Sequence, residues 1–287
     1  MPIKIAALQM VSTPDVARNL EAAAALIAEA ARGGAALVAL PEYFCLLGRR
    51  DTDKLAIAEA PGQGPVQAFL SEAARRHGLF VLGGTLPVAA PSAAAPAAGP
   101  RVLNRACLYG PDGRELVHYD KVHLFAFDNG RESYDEGRTL AAGDRAVAAD
   151  LALPAWGEAP LRLGLSICYD LRFPELYRAL MRPPCDVIAV PSAFTHTTGL
   201  AHWEVLLRAR AIENQCYVLA AAQGGTHENG RRTFGHSLIA DPWGEVLACR
   251  DEGEGVVMAE IDAARLAQVR RQLPALQHRR MDGHDAG

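Results

Sequence analysis

The stretch 161-LRLGLSICYDLRFPE-175 decides how the chain is read. Leu161 to Ile167 is apolar, and it reads as a buried strand. The run breaks at Cys168. Pro174, a residue favoured in the first turn of a helix, opens the next segment. A thiol at such a junction sits at the end of a rigid strand and faces the positive end of a helix, which favours the thiolate. A free cysteine is also a small hydrophobe that cores accept readily. Position alone leaves both readings of Cys168 open.

Two further segments weigh against the second reading. In 38-VALPEYF-44 an apolar strand ends in the carboxylate of Glu42, and in 119-YDKVHLF-125 Lys121 adjoins an apolar run. Either charge alone is an ordinary solvated rim residue. Together with a thiol they form a complementary set. A carboxylate takes the proton of a thiol, a thiolate attacks a carbonyl or nitrile carbon, and an ammonium holds the oxyanion that develops.

Glu42 in LPEYF, Lys121 in YDKVHLF and Cys168 in SICYDLRFPE resemble, in order and separation, the Glu–Lys–Cys triad of the nitrilase superfamily of carbon–nitrogen hydrolases. The resemblance runs from IKIAALQM (3–10) to LPALQHRR (273–280). The stretch 191–223, PSAFTHTTGLAHWEVLLRARAIENQCYVLAAAQ, and 234–246, FGHSLIADPWGEV, are similar to the branch that hydrolyses deaminated glutathione. The sister branch of ω-amidases, which acts on 2-oxoglutaramate, is less similar over HWEVLLRARAIENQCY.

The resemblance implies an α/β fold, a four-layer αββα sandwich forming one domain over 1–287 with its core at about 3–280. It implies amide hydrolysis through a Cys168 thioester. Glu42 would serve as base and then acid, and Lys121 with the Tyr169 N–H would hold the oxyanion. The family carries a second acidic residue near the triad. EGRTLAAGD (136–144) resembles that segment and points to Glu136, with Glu132 as its competitor. No cofactor is implied. The implied substrate is a small amide bearing a carboxylate: deaminated glutathione, yielding 2-oxoglutarate and cysteinylglycine, or else 2-oxoglutaramate, yielding ammonia. A non-catalytic nitrilase-like scaffold is the rival of another class, and the intact triad argues against it. Family members commonly form homodimers or higher homo-oligomers through helices near the site, which points to the 204–214 region and the C-terminal tail.

Several neighbours of these motifs are candidates for the substrate pocket. Arg172 suits bidentate binding of a carboxylate, or an ion pair with Glu175 or Asp170. Tyr43, Phe194 and Thr198 flank the motifs as pocket residues, and the two aromatics are equally plausible as core. His123 beside Lys121 suggests a Cys–His pair, but no Asn or Asp orienter is identifiable and the Glu–Lys pair already supplies the proton chemistry. His202-Trp203 reads as packing or interface.

Bulk properties set the frame. The 287 residues suffice for one large α/β domain, and half are hydrophobic, ample for a core. The net charge of −4 gives no basic excess for nucleic acid or an anionic membrane. No apolar run approaches the ~20 residues that span a bilayer. MPIKIAALQM lacks the parts of a secretory signal. Six scattered cysteines without a CxxC pair suit reduced thiols in a cytoplasmic protein. Nine dispersed histidines offer no metal-ligand spacing.

Strand-like and helix-like runs alternate. Ile3–Gln9 is a strand. Thr13-Pro14-Asp15 suggests a cap at Thr13 and proline at N1 of a helix that Gly33-Gly34 stops. A strand over 35–41, a helix over 65–77 ending at Gly78, and strands over 79–86 and 101–109 follow, with a turn at Pro111-Asp112-Gly113. The charge-free, alanine- and proline-rich stretch 87–100 reads as a surface loop or partly disordered. The second half repeats the grammar: strands at 161–167 and 186–190, helices over 175–181 and 201–214, strands over 217–222, 236–240, 246–248 and 256–261, and a last helix capped by Asp262. Trp203, Leu206, Leu207 and Ile212 form the apolar stripe of the longer helix.

Overall fold

The computed structural model describes residues 1–90 and 99–281. Its first strand, β1 (Ile3–Gln9), is buried along nearly its whole length. Ile5 and Ala7 point into one core, Ala6 and Leu8 into another. A strand so patterned must be covered on both faces.

Helices cover one face. Asp15 caps α1 (Val16–Arg32) by accepting the Arg18 N–H, so the cap is Asp15 rather than Thr13, and Pro14 lies outside the helix. A short side chain whose oxygen reaches two or three residues ahead decides the cap, and Asp15 has that reach. Ala23, Leu26 and Ile27 pack against Ala6, Leu8 and Val38. Beyond β2 (Ala35–Ala39) and the single turn α2 (Asp53–Ala56), α3 (Pro65–His77) begins on Pro65 and ends on left-handed Gly78. It adds Val66, Leu70 and Ala74 to the same layer.

The strand predicted over 79–86 is two, β3 (Phe80–Leu82) and β4 (Leu86–Ala89), separated at Gly83-Gly84. Most of the 87–100 stretch, residues 91–98, lies outside the described residues. β5 (Val102–Tyr109) turns into β6 (Glu115–Asp120). The small hairpin of β7 (Ala126–Asp128) and β8 (Ser133–Asp135) and the short β9 (Leu140–Ala141) follow.

The second half contains β10 (Val147–Leu151), β11 (Leu161–Leu165), α4 (Pro174–Ala179) and β12 (Val187–Ala189). Next come α5 (His196–Asn214), β13 (Tyr217–Ala220) and the hairpin of β14 (Gly224–Thr226) and β15 (Arg232–Phe234). β16 (Ser237–Ala240), β17 (Val246–Arg250), β18 (Gly255–Ile261) and α6 (Ala263–Gln272), capped by Asp262, complete it. α5 starts earlier than predicted because Thr195 caps it, accepting the Thr198 N–H. Of its predicted stripe, Trp203 and Leu207 are buried but Ile212 is 49 % exposed.

Two sheets result. One has the order β18-β1-β2-β3-β5-β4, with β6 and β9 also pairing with β5; the other runs β10-β11-β12-β13-β16-β17. Ile5, Leu37 and Leu82 of the first share one core with Leu163, Val187, Leu219 and Ile239 of the second, so the sheets stack face to face. With α1 and α3 on the first sheet and α4 and α5 on the second, the layers run α, β, β, α. The largely non-alternating apolar strands of the sequence are the consequence of this double coverage.

Candidate active site

Each triad residue lies just past the carboxyl end of a strand: Glu42 after β2, Lys121 after β6, Cys168 after β11. The first two come from one sheet and the third from the other. Lys121 Nζ donates to Glu42 Oε1 at 2.8 Å and to Glu136 Oε1 and Oε2 at 3.0 and 2.8 Å. Glu42 Oε1 also accepts from Asn104 Nδ2 at 2.9 Å, and Glu42 Oε2 accepts the Ala193 N–H at 3.0 Å. Cys168 lines the same cleft as this Glu42 carboxylate, whose charge acts on the thiol. Glu42 and Lys121 are each 1 % exposed and Cys168 is 7 % exposed.

Burial and then the Glu42 charge push the Cys168 thiol well above its usual range, against the opposing pull of Lys121. This corrects the expectation that its position at a helix start favours the thiolate. The resting site holds a thiol beside a carboxylate. Burial alone would discharge Lys121, but Glu136 and Glu42 outweigh it and raise the ammonium's pKa. Burial also opposes the Glu136 charge, yet Lys121, with the Phe125 N–H and Tyr43, holds this carboxyl below its ordinary value.

The backbone is shaped to present these groups. Cys168 has φ 48° and Tyr43, next to Glu42, has φ 58°, both in the left-handed region that non-glycine residues seldom enter. Asp170 fixes the Cys168 turn. Fully buried, it accepts from the Ile167 N–H at 2.8 Å, Tyr119 Oη at 2.8 Å and the His123 N–H at 3.1 Å, with His123 Nδ1 at 2.7 Å. His123 stacks on Phe173 at 3.7 Å and so serves this latch, not Cys168.

A narrow cleft opens onto these residues and is lined by Cys168, Tyr169, Arg172, Phe194, Thr198 and Arg231, among others. Residues 4–271 match the carbon-nitrogen hydrolase family. The chain belongs to this family. A deaminated glutathione amidase of Synechocystis is 47% identical to it over 281 residues, covering 97% of this chain and 98% of that protein. Among solved structures, the Caenorhabditis elegans NitFhit protein superposes with a TM-score of 0.84 at 38% identity, covering 97% of this chain and 65% of that one. Saccharomyces cerevisiae Nit3, a member of branch 10 of the nitrilase superfamily, does so with a TM-score of 0.84 at 30% identity, covering 98% and 97%.

The fold of this carbon–nitrogen hydrolase also settles several sequence-level alternatives. Glu136, not Glu132, stands at Lys121; Glu132 accepts instead from Thr197 Oγ1 at 2.9 Å. Arg172 pairs with neither Glu175 nor Asp170. It lies over the rings of Phe194 and Tyr169, at 5.2 and 5.8 Å, and contacts His202 Nδ1 at 3.2 Å. Phe194 is both cleft wall and core, packed on Trp203 at 4.8 Å. Tyr43 does not line the cleft. Its hydroxyl donates to Glu136 Oε1 at 2.7 Å, because the left-handed turn at Tyr43 swings the ring behind that carboxylate.

Sequence reasoning passed over Asn104, Ala193 and Arg231. The first is a buried polar residue inside β5, which is itself a signal. The Ala193 N–H reaches Glu42 only through the docking of the two sheets, so no local pattern reveals it. Arg231 follows Asn229-Gly230, a hairpin dipeptide that flags the β14–β15 turn. Among the described residues no three His, Cys, Asp or Glu side chains converge as a metal site, and no helix is long and apolar enough to cross a membrane.

Proposed function

We propose that this chain is an amidase in which Cys168 is the nucleophile, Glu42 the base and acid, and Lys121 the oxyanion donor. The observation that carries the reading is one buried carboxylate, Glu42, which holds the Lys121 ammonium and lines the same cleft as Cys168. Glu42 takes the thiol proton as Sγ attacks the amide carbonyl. Lys121 and the Tyr169 N–H stabilise the oxyanion. Collapse breaks the C–N bond and Glu42 returns the proton to the departing amine. A water, deprotonated by Glu42, then attacks the thioester, and the acid leaves with Cys168 restored as a thiol. Glu136, held by Tyr43 and the Phe125 N–H, keeps Lys121 in place.

Arg172, with no carboxylate partner among the described residues, supports a substrate whose acyl part ends in a carboxylate. Relatives named deaminated glutathione amidase, at 37% to 47% identity, support deaminated glutathione, cleaved to 2-oxoglutarate and cysteinylglycine. The small cleft favours a second reading, 2-oxoglutaramate, which has the same acyl part and releases ammonia. The test is mass spectrometry of products from both amides, with Cys168→Ala as control. Cysteinylglycine from the unmodified enzyme alone supports the first reading, faster ammonia release from 2-oxoglutaramate supports the second, and turnover of neither removes the substrate assignment.

Self-association belongs to the same proposal. The outer side of α5 carries Leu200, Val205 and Ile212, exposed by 72%, 69% and 49%. That supports a homodimer or higher homo-oligomer packed through this helix; a monomer mass by light scattering removes it. The thiols of all six cysteines are free, which suits a cytoplasmic setting.

A further inference from the structure

Beside the Cys168 cleft lies a second, larger groove that none of the steps above uses. Tyr43, Lys54, Tyr134 and Arg231 are among its walls. Arg231 lines both the cleft and the groove, Arg172 only the cleft, and Lys54 only the groove. The Tyr43 ring walls the groove while its hydroxyl reaches Glu136 in the cleft. The two depressions are therefore neighbours, divided by side chains.

The groove is cationic. Its lining includes six arginine and lysine side chains against two carboxylates, Asp51 and Glu132. Several of these cations are already satisfied: Arg49 pairs with Glu228, Arg50 with Asp53 and Arg232 with Glu252. Lys54, Arg131 and Arg231 have no such partner among the described residues. The Lys54 ammonium lies 5.2 Å from the centre of the Tyr43 ring, with no carboxylate within ion-pair distance among the described residues. Arg231 donates to the Ala193 carbonyl at 2.9 Å and lies over the Tyr134 ring at 5.2 Å, and its buried Nε has no acceptor. Lys54 and Arg231, both without counter-ions and the second with an unspent donor, make a site for an anion.

We infer that this groove binds a carboxylate on the amine portion of the substrate, held between Lys54 and Arg231. The inference rests on the amidase reading above. With the acyl carboxylate at Arg172 and the reacting carbon at Cys168, the amine portion must extend away from Arg172, and Arg231 marks where the cleft adjoins the groove. A substrate with a carboxylate at each end is thus gripped at both, and an amide lacking the second one loses that grip.

Three amides with one acyl group test this: deaminated glutathione, its derivative with the glycine carboxylate converted to a carboxamide, and 2-oxoglutaramate. The unmodified enzyme is expected to favour the acid over the carboxamide by about tenfold in kcat/KM, the worth of a single charge-assisted contact. Lys54→Gln is expected to erase that preference while leaving the carboxamide and 2-oxoglutaramate within about twofold. Arg231→Gln should act in the same direction, its folding verified by thermal melting. Equal losses on all three amides, or no loss on any, overturn the inference. If the unmodified enzyme cleaves none of them, the amidase substrate is wrong. The groove is then judged by calorimetric titration of cysteinylglycine and its carboxamide into the unmodified enzyme and Lys54→Gln. Tighter binding of the acid, lost in Lys54→Gln, sustains the groove; matched affinities overturn it.

Discussion

The Tyr119 hydroxyl donates to Asp170 at 2.8 Å, tying the strand that leads to Lys121 to the turn that carries Cys168. Asp170 is thus a positioning residue shared by two sheets. Asp170→Asn keeps the shape but turns an amide N–H₂ toward groups that are themselves donors. The expected cost is about 2–4 kcal/mol of stability, from lost charge-assisted hydrogen bonds and donors left unpaired. A fall in kcat larger than the rise in KM should accompany it, read from denaturant melts and steady-state kinetics; an unchanged kcat would show that the tie does not position the thiol.

Stability should depend on pH through Glu136. Its folded pKa is depressed, so its contribution is present above the ordinary carboxyl value and is lost as pH falls through the folded value. Lys121 is raised, so its contribution is full below the ordinary lysine value and fades only in strong alkali. Glu136→Gln is expected to cost about 3 kcal/mol at neutral pH by removing one partner of a buried ion network. It should also flatten the loss of stability below about pH 4, where carboxylates take up protons. Urea melts at pH 7 and about pH 3 measure both effects, and parallel curves for the two proteins would contradict the assignment.

Glu42 and Lys121 pull the Cys168 thiol in opposite directions, Glu42 up and Lys121 down. Glu42→Gln should therefore lower the pH at which Cys168 is alkylated by iodoacetamide, because the repulsion goes and the ammonium stays. The same change should reduce amide hydrolysis by about 10²–10⁴-fold, since no group remains to shuttle the proton. Alkylation profiles and turnover of one preparation separate these roles. A midpoint that moves up would show that the carboxylate is not what raises the thiol.

Gly84 sets the position of Glu42 from beneath. It has φ 50°, and a Cβ there would stand 2.1 Å from the Pro41 carbonyl oxygen, a backbone atom that cannot turn aside. Gly84→Ala is expected to destabilise the fold by about 1–3 kcal/mol through strain and displacement of this loop. Activity should drop by more than the melting shift explains, because Pro41 and Glu42 are adjacent. A melting scan paired with kcat/KM tests it.

What could be read from the sequence follows from how local each cause is. β1 and α3 match their predicted limits because an apolar run, a proline at N1 and a terminal glycine are written within the segments themselves. Glu42, Lys121 and Cys168 are legible as groups at strand ends, Glu136 only through the family resemblance, and the structure brings them together. The protonation of Cys168 was not, since burial under a second sheet outweighs the local helix. Nor was the true place of Tyr43, which depends on one left-handed backbone angle. Ile212 fits the helical stripe but faces outward, because α5 buries the side that carries Trp203, Leu207, Arg210 and Asn214 instead.

β18 pairs with β1 in antiparallel register, Ile3 opposite Ile261. The strand β1 therefore waits for β18, about 250 residues later, before its sheet has that edge. Glu42 and Lys121 are made early and Cys168 late, on the other sheet. Until both sheets have formed, the Glu42–Lys121 pair and Cys168 have no shared surroundings, and contacts this distant in sequence form slowly. Neither sheet alone holds Glu42, Lys121 and Cys168, so the proposed chemistry requires both to be in place.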